Sequence, residues 1–479
     1  MKKLSQLVDC DYYDIDVLGI ATDSRNVKPG YLFVATKGFH VDHYNYITDA
    51  IDKGCVAVVV DRVGKFSVPT IVVDDINQTL ISICEKFYDV TTHDFTFIGI
   101  TGTDGKTTTA TITRNLLNHF IPTAYLGTNG LYCGDKIFST TNTTPCVEDL
   151  YYYFSIVKFY KCQIIVMEVS SEALLHHRVD SIIFDVVAYT NITEDHLNIH
   201  KTIENYRNCK FRLATLCKRD ASVIINGDDD NCRLLNVKYK TTYGFSSDND
   251  CVISNVKNCQ KNVYFSLRYL ENKYLVQSPF LGKYNIYNVT LALLIVQSVA
   301  GSLDKAIGLL PSVPYVFGRR EVFTSDSGFD ILLDYAHTTN GILSLLQSLD
   351  NYSHIIVVTG AAGGREVEKR PVIGDILFKY ADYIVFTSDD PRYEDPKDIF
   401  LDMLGSHKTE NYTFIQDREE AILHAFQLAQ DKDVVAVIGK GRDNYMAVLD
   451  QRIPYSDYDV ILKFLKKFRF RQNSTRFDK

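Results

Sequence analysis

Short apolar runs punctuate the whole chain, and what surrounds them changes twice. Up to about residue 92 the runs are brief and β-rich, as at Tyr31–Ala35 and Val56–Val60, and Ile76–Tyr88 carries helical spacing. This predicts a small α/β domain. Near Phe95 the rhythm changes. Phe95–Ile100 is an apolar run, followed by TGTDGKTT and a helical pattern from Thr108 onward. Strand, glycine turn and helix in that order form a nucleotide-binding βα unit. Buried-strand candidates at Ile164–Met167, Phe184–Tyr189 and Val223–Ile225 alternate with helical stretches, which predicts a mostly parallel sheet.

A third series follows PYVFGRRE. Ile331–Leu333, Ile355–Val358, Tyr383–Phe386 and Val434–Ile438 each run directly into polar or glycine residues: DYAH, TGAAGGRE, TSDDPR and GKGRD. Ligands in open α/β sheets sit beyond the carboxyl ends of the strands, so these ends predict a half-site facing the nucleotide domain. The expected fold is α/β in three domains. They are a small N-terminal α/β domain over 1–92, a central P-loop-type mostly parallel sheet over 93–316, and a C-terminal Rossmann-like domain over 317–479. A chain of 479 residues suits three domains.

Composition narrows the partners. With 46% apolar and 23% charged residues the chain is globular rather than disordered. A net charge of -8 argues against nucleic acid or an anionic membrane as the main partner, but leaves room for an anionic small ligand on a local loop. The 11 cysteines form no C-x-x-C pair, which disfavours a zinc ribbon or redox dithiol. MKKLSQLVDCDYYD lacks the apolar run of a signal peptide, and no run approaches the roughly 18 apolar residues of a membrane span. The expectation is a cytoplasmic protein whose thiols are buried fillers.

The strongest local signal is Gly102-Thr103-Asp104-Gly105-Lys106-Thr107-Thr108. The two glycines allow a tight turn whose N–H groups face phosphate. Lys106 would reach the β- and γ-phosphates, the Thr107 hydroxyl would ligate Mg²⁺, and the following helix would add its N-terminal dipole. Ile100 stands where the usual loop begins with glycine. Asp104 is an unusual neighbour for phosphate, so its carboxylate must point away or help hold a cation.

At this point the sequence resembles the Mur ligases and folylpolyglutamate synthases, which share a TGT-x-GKT/S loop. The resemblance runs through TDSRNVKPGYLFVA at Thr22, TTP at Thr143, MEVSSEALLHHRV at Met167, TNITEDHLNIH at Thr190, YRNCK ending at Lys210, and GKYNIYN at Gly282. It continues through GRRE at Gly318, DYAH at Asp334, EKRP at Glu368, DDPRYEDP at Asp389 and GKG at Gly439. Within the Mur ligases it is nearest the branch that adds the third amino acid to a UDP-muramyl-dipeptide.

The resemblance implies ATP and Mg²⁺ at two sites as cofactors, with a CO₂-derived carbamate on Lys210. It implies UDP-muramyl-dipeptide and a diamino acid as substrates, with no obligate protein partner. Chemistry would fall to Lys106, Glu168, His196 and Lys210, and the metals to Thr107, Glu168, His196 and the modified Lys210. Asn288 would lie by the adenine and Arg319 by the phosphates, while Asp334 and His337 would join on closure. Ser24 would touch uridine, and Thr143, Thr144, Ser170, His176 and Arg178 would hold the muramyl-dipeptide. Blander readings remain beside these: a strand-end cap for Glu168 or DYAH, a surface lysine for Lys210, and plain turns for TTP and DSR.

Four departures from the family pattern bear on substrate contacts. Glu172 stands where histidine is usual, Asp104 where asparagine is common, and Arg442-Asp443 where His-Glu is frequent. The fourth is DDPR. Members that use diaminopimelate typically show DNPR, whose arginine suits a distal carboxylate, whereas an extra acid suits the ammonium of lysine. Arg392 and Arg365 favour diaminopimelate; Asp390 and Asp443 favour lysine; Asp389 and Gly439 belong to the same loops. Arg392 could instead pair with Asp390 or Glu394. The sequence leans to diaminopimelate. The competing functions are a folylpolyglutamate synthase-like ligase, disfavoured by TDSRNVKPG and DDPRYEDP, and a non-catalytic Mur-like binding subunit, disfavoured by the intact phosphate and metal residues.

Overall fold

A computed structural model describes residues 1–474 except 13, 39–40, 260–261 and 366, with side chains described through 466. Three sheets organise it. The first pairs Gly19–Ala21, Tyr31–Val34, Ala57–Val60 and Thr70–Val72 in that order, all parallel. Helix Ile76–Tyr88 covers it, started by Asp75, whose carboxylate accepts from Gln78 N at 2.9 Å.

The second sheet has 11 strands. Its parallel centre runs from Thr123–Gly127 through Ile164–Glu168, Thr96–Thr101, Phe184–Tyr189 and Cys217–Asn226 to Thr241–Gly244 and Cys251–Asn258. Antiparallel strands finish both edges: Gly130–Cys133 with Lys136–Phe138 on one side, and Val263–Tyr269 with Asn272–Ser278 on the other. The helices Lys106–Leu117 and Lys283–Ala300 pack together over one face. The central strands are buried on both faces, which is why they read as unbroken apolar runs.

The third sheet has the order Glu321–Thr324, Asp330–Asp334, Val434–Ile438, Ile355–Thr359, Tyr383–Phe386, Tyr412–Phe414, antiparallel only at its first pair. Val434–Ile438, the last of these strands in sequence, lies between Asp330–Asp334 and Ile355–Thr359. That places DYAH, GKGRD, TGAAGG and TSDDPR together at the carboxyl ends.

Two expectations need correction. The helix after the phosphate loop begins at Lys106, not Thr108, because Gly105 takes a left-handed φ of 83° and its carbonyl already accepts from Thr109 N. The thiols are not uniformly buried: Cys259 is exposed, and Cys10, Cys146, Cys209 and Cys217 are partly so, while all eleven are free. No helix among the described residues is long and apolar enough to cross a membrane.

Candidate active site

The phosphate loop joins strand Thr96–Thr101 to helix Lys106–Leu117. A Cβ at Gly102 would stand 1.8 Å from Thr190 Oγ1, and one at Gly105 2.3 Å from Asn288 Oδ1. The loop is therefore clasped from outside. Thr190 Oγ1 donates to Asp104 O at 2.6 Å, while Asn191 takes Asp104 N at 3.0 Å and gives to Asp104 O at 3.1 Å. The TN of TNITEDH is thus a brace for the loop. Asn288, buried, accepts from Thr109 Oγ1 at 3.3 Å and packs on Gly105.

Lys106 Nζ donates to the loop's own carbonyls, Gly102 O at 2.9 Å and Thr103 O at 2.8 Å. Burial lowers its pKa, against the pull of Glu168. Thr107 Oγ1 donates to Glu168 Oε2 at 2.9 Å, and Arg319 reaches Thr107 Oγ1 at 3.3 Å. Glu168 is fully buried at the end of its strand, where Tyr125 OH donates to it at 2.5 Å and Thr128 N at 3.1 Å.

Lys210 lies in the same basin. It is 1% exposed, its Nζ donates to Gly102 O at 2.8 Å, and it stands 4.5 Å over the Tyr206 ring. Burial, and then repulsion from Lys106, hold its pKa well below the ordinary lysine value. This excludes the surface-lysine reading. His196, at φ 54°, lies 3.5 Å from Asp195 and 3.8 Å from Glu172, and burial lowers its pKa. Asp195 is held low despite burial by His196, Lys369 and His337. Among the described residues no cluster of three or more His, Cys, Asp and Glu forms a metal cage.

Residues at the starts of two helices beside the third sheet close over this basin. Thr338 Oγ1 donates to the Asp104 carboxylate at 3.0 and 3.1 Å, and Lys369 Nζ lies 2.9 Å from Asp195 Oδ1. So Asp104 points across to the third sheet. Asp334 is occupied internally, accepting from Arg320 N at 2.6 Å and Ala336 N at 2.7 Å, and burial raises its pKa. His337 is exposed beside it, with Nδ1 2.7 Å from Tyr335 O.

Several expected substrate contacts are spent on the fold. Thr144 is 1% exposed; its hydroxyl donates to Glu168 O at 2.8 Å and accepts from Ser170 N at 3.0 Å. Ser170 Oγ caps its helix by accepting from Ala173 N at 3.1 Å. These two shape the wall. Thr143 Oγ1 meets Thr128 Oγ1 at 3.0 Å, and Arg178 donates to Thr144 O at 3.1 Å, so both lie along the same wall, with His176 just past the helix end. Ser24 is buried in a turn of the first domain, tied down by Lys53 Nζ on its carbonyl at 3.1 Å. That domain joins the second where Thr22 Oγ1 donates to Glu148 at 2.5 Å.

At the far side, Asp390 pairs with Lys440 at 2.7 Å and Glu394 with Arg370 at 2.7 Å. The suggested pairing of Arg392 with either acid is therefore overturned: Arg392 has no ion pair among the described residues. Arg365 is exposed nearby, in the Gly363–Gly364 turn that packs on Pro391. Asp389 is buried at the strand end, and a Cβ at Gly439 would stand 2.3 Å from its Oδ2. Asp443 accepts from Tyr335 OH at 3.1 Å, and burial pushes its pKa up to about 6. The motifs located these positions, but not Thr338, Lys369, Asp195, Tyr125 or Lys440. EKRP, GKG and TNITEDHLNIH held Lys369, Lys440 and Asp195 in view; nothing local marked the other two.

A glycine loop at a parallel-strand end, a buried carboxylate beside its threonine, half-buried Lys106 and buried Lys210 suit an ATP-dependent ligase that joins a carboxylate to an amine. Family profiles agree: Mur ligase family, catalytic domain, over 16–92; Mur ligase middle domain over 100–296; and Mur ligase, glutamate ligase domain, over 318–441. The chain belongs to the Mur ligase family. It is 34% identical over 462 residues to the UDP-N-acetylmuramoyl-L-alanyl-D-glutamate--2,6-diaminopimelate ligase of Caldanaerobacter subterraneus subsp. tengcongensis, covering 94% of this chain and 95% of that one. A solved ligase of the same name matches with TM-score 0.65 and 25% identity over 98% of this chain and 99% of that one. A MurF ligase from Thermotoga maritima, solved with ADP, shares the fold at TM-score 0.64 and 21% identity, covering 89% and 94%.

Proposed function

We propose that this ligase adds meso-diaminopimelate to UDP-N-acetylmuramoyl-L-alanyl-D-glutamate in the cytoplasm, as the third amino acid of a peptidoglycan precursor. The three-domain division over 1–92, 93–316 and 317–479 then carries the nucleotide-sugar end, ATP and the amino acid in turn. In the reaction a substrate carboxylate oxygen attacks the γ-phosphorus of ATP and ADP leaves. The amine then attacks the acyl carbon, phosphate leaves and the amine loses a proton. Both first reactants are anions, so catalysis rests on charge neutralisation and alignment.

This chain's residues suit that task. Lys106, exchanging its loop carbonyls for phosphate oxygens, and Arg319 supply positive charge at the triphosphate. Thr107 Oγ1 and Glu168 Oε2 form an oxygen pair at 2.9 Å, a donor set that fits a hard cation taking its remaining ligands from phosphate and water. Mg²⁺ bound there would neutralise charge on the phosphoryl oxygens. Lys210 fits carbamate formation: buried, with a depressed pKa, its amine attacks CO₂ and releases a proton, providing an anionic oxygen donor beside His196. Thr338 and Lys369, from the third domain, fix the closed arrangement.

The observation that carries the choice of amino acid is Arg392. Among the described residues its guanidinium has no acidic partner: Glu394 is bound by Arg370 and Asp390 by Lys440. A distal carboxylate satisfies it. Arg392→Ala should lower kcat/KM for diaminopimelate by about 100-fold, the scale of a charge-assisted pair, while changing lysine use by less than about 3-fold. Equal losses for both amino acids would remove Arg392 as the selector.

A further inference from the structure

Among the described residues, Lys440 is the most enclosed charge in the third domain's ligand-facing loops. It is 1% exposed, its Nζ lies 2.7 Å from Asp390 and 3.9 Å from each of Asp389 and Asp443, and it faces the Tyr445 ring at 5.6 Å. Asp390 is the residue whose charge suits a substrate ammonium. Here an internal ammonium already occupies that place, and three carboxylates hold it.

The same carboxylate also shapes the chain. Asp390 Oδ1 accepts from Ala447 N at 2.9 Å, at the edge of the hairpin Tyr445–Val448 and Gln451–Pro454. Arg392 N donates to Ala447 O at 3.0 Å, and Leu449 N donates to Arg392 O at 2.8 Å. Arg392 is thus clamped on the hairpin through both backbone groups. Asp390 and Arg392 have φ of 44° and 53°, a left-handed backbone that costs about 1 kcal/mol or more per non-glycine residue. These bonds hold it. Beneath them, fully buried Arg418 donates to Ser388 O at 3.2 Å and Ile438 O at 2.9 Å, fixing the two strand ends from which both loops spring.

We propose that Lys440 is a positioning residue for amino-acid selection. By pairing with Asp390 it withdraws that carboxylate from the substrate and sets the loop that presents Arg392. The site then selects an amino acid ending in a carboxylate over one ending in an ammonium. This rests on the diaminopimelate reading above. The Asp-for-Asn exchange in DDPR is thereby neutralised inside the protein instead of redirecting it to lysine.

The test is a double-substitution cycle in the full-length enzyme, measuring KM and kcat with meso-diaminopimelate and with L-lysine alongside thermal melting. Lys440→Met uncovers the Asp390 charge and should reduce the diaminopimelate-over-lysine ratio of kcat/KM at least about 10-fold, mainly through KM. Lys440→Met with Asp390→Asn removes both charges and should return that ratio to within about 3-fold of the parent. If the single variant does not fold, the double variant carries the test against the parent. A ratio that stays lowered in the double variant, or that is unchanged in Lys440→Met, overturns the inference. A parent enzyme that turns over with lysine and not with diaminopimelate overturns the underlying reading instead.

Discussion

Lys210 shows how much a single residue's surroundings decide. Its motif, YRNCK, marks the lysine by resemblance but says nothing of what surrounds it. Its burial, the Gly102 carbonyl and repulsion from Lys106 make it an amine that sheds its proton far more readily than a surface lysine. Lys210→Ala should lose about 100-fold or more of kcat and regain part of it with an added short-chain carboxylic acid. Because the pKa is lowered, raising the pH exposes more neutral amine, so carbamate content should rise with pH and with dissolved CO₂. Full activity in Lys210→Ala without added acid would exclude the carbamate role. Residue identities were legible here, but partnerships were not. Thr338 and Asp104 are separated by 234 positions, and no local pattern links them.

At the scale of elements, strands buried on both faces were readable from the sequence, and half-exposed ones were not. Phe184–Tyr189, Tyr383–Phe386 and Val434–Ile438 have the bounds their apolar runs predict. Lys136–Phe138, the outer part of Cys251–Asn258 and the hairpin Tyr445–Pro454 carry exposed polar positions and leave no such signal. Helix starts follow their caps. Thr338 is instructive because its hydroxyl both accepts from Gly341 N at 2.9 Å and donates to Asp104. Thr338→Val should cost about 1 kcal/mol through the lost cap and also lower kcat, whereas Thr338→Ser should keep both. Melting curves with steady-state rates check this; a stability loss with unchanged kcat would confine Thr338 to capping.

For the molecule as a whole, the second and third domains meet around one basin. The second sheet supplies the phosphate loop and buried carboxylate. The third brings Thr338 and Lys369 onto it and sets Arg392 at the far side. The motifs announced the three-part order and most of the basin, because family-like sequence clusters at strand ends. They did not announce that Asp390 is spent on Lys440, since that depends on Val434–Ile438 lying between strands that precede it in sequence. The most direct measurement is phosphate release from ATP with UDP-muramoyl-L-Ala-D-Glu, comparing meso-diaminopimelate, L-lysine, L-ornithine and no amino acid. Turnover that depends on diaminopimelate is the predicted result. Turnover with lysine or ornithine in its place, or equal release without any amino acid, would contradict the account.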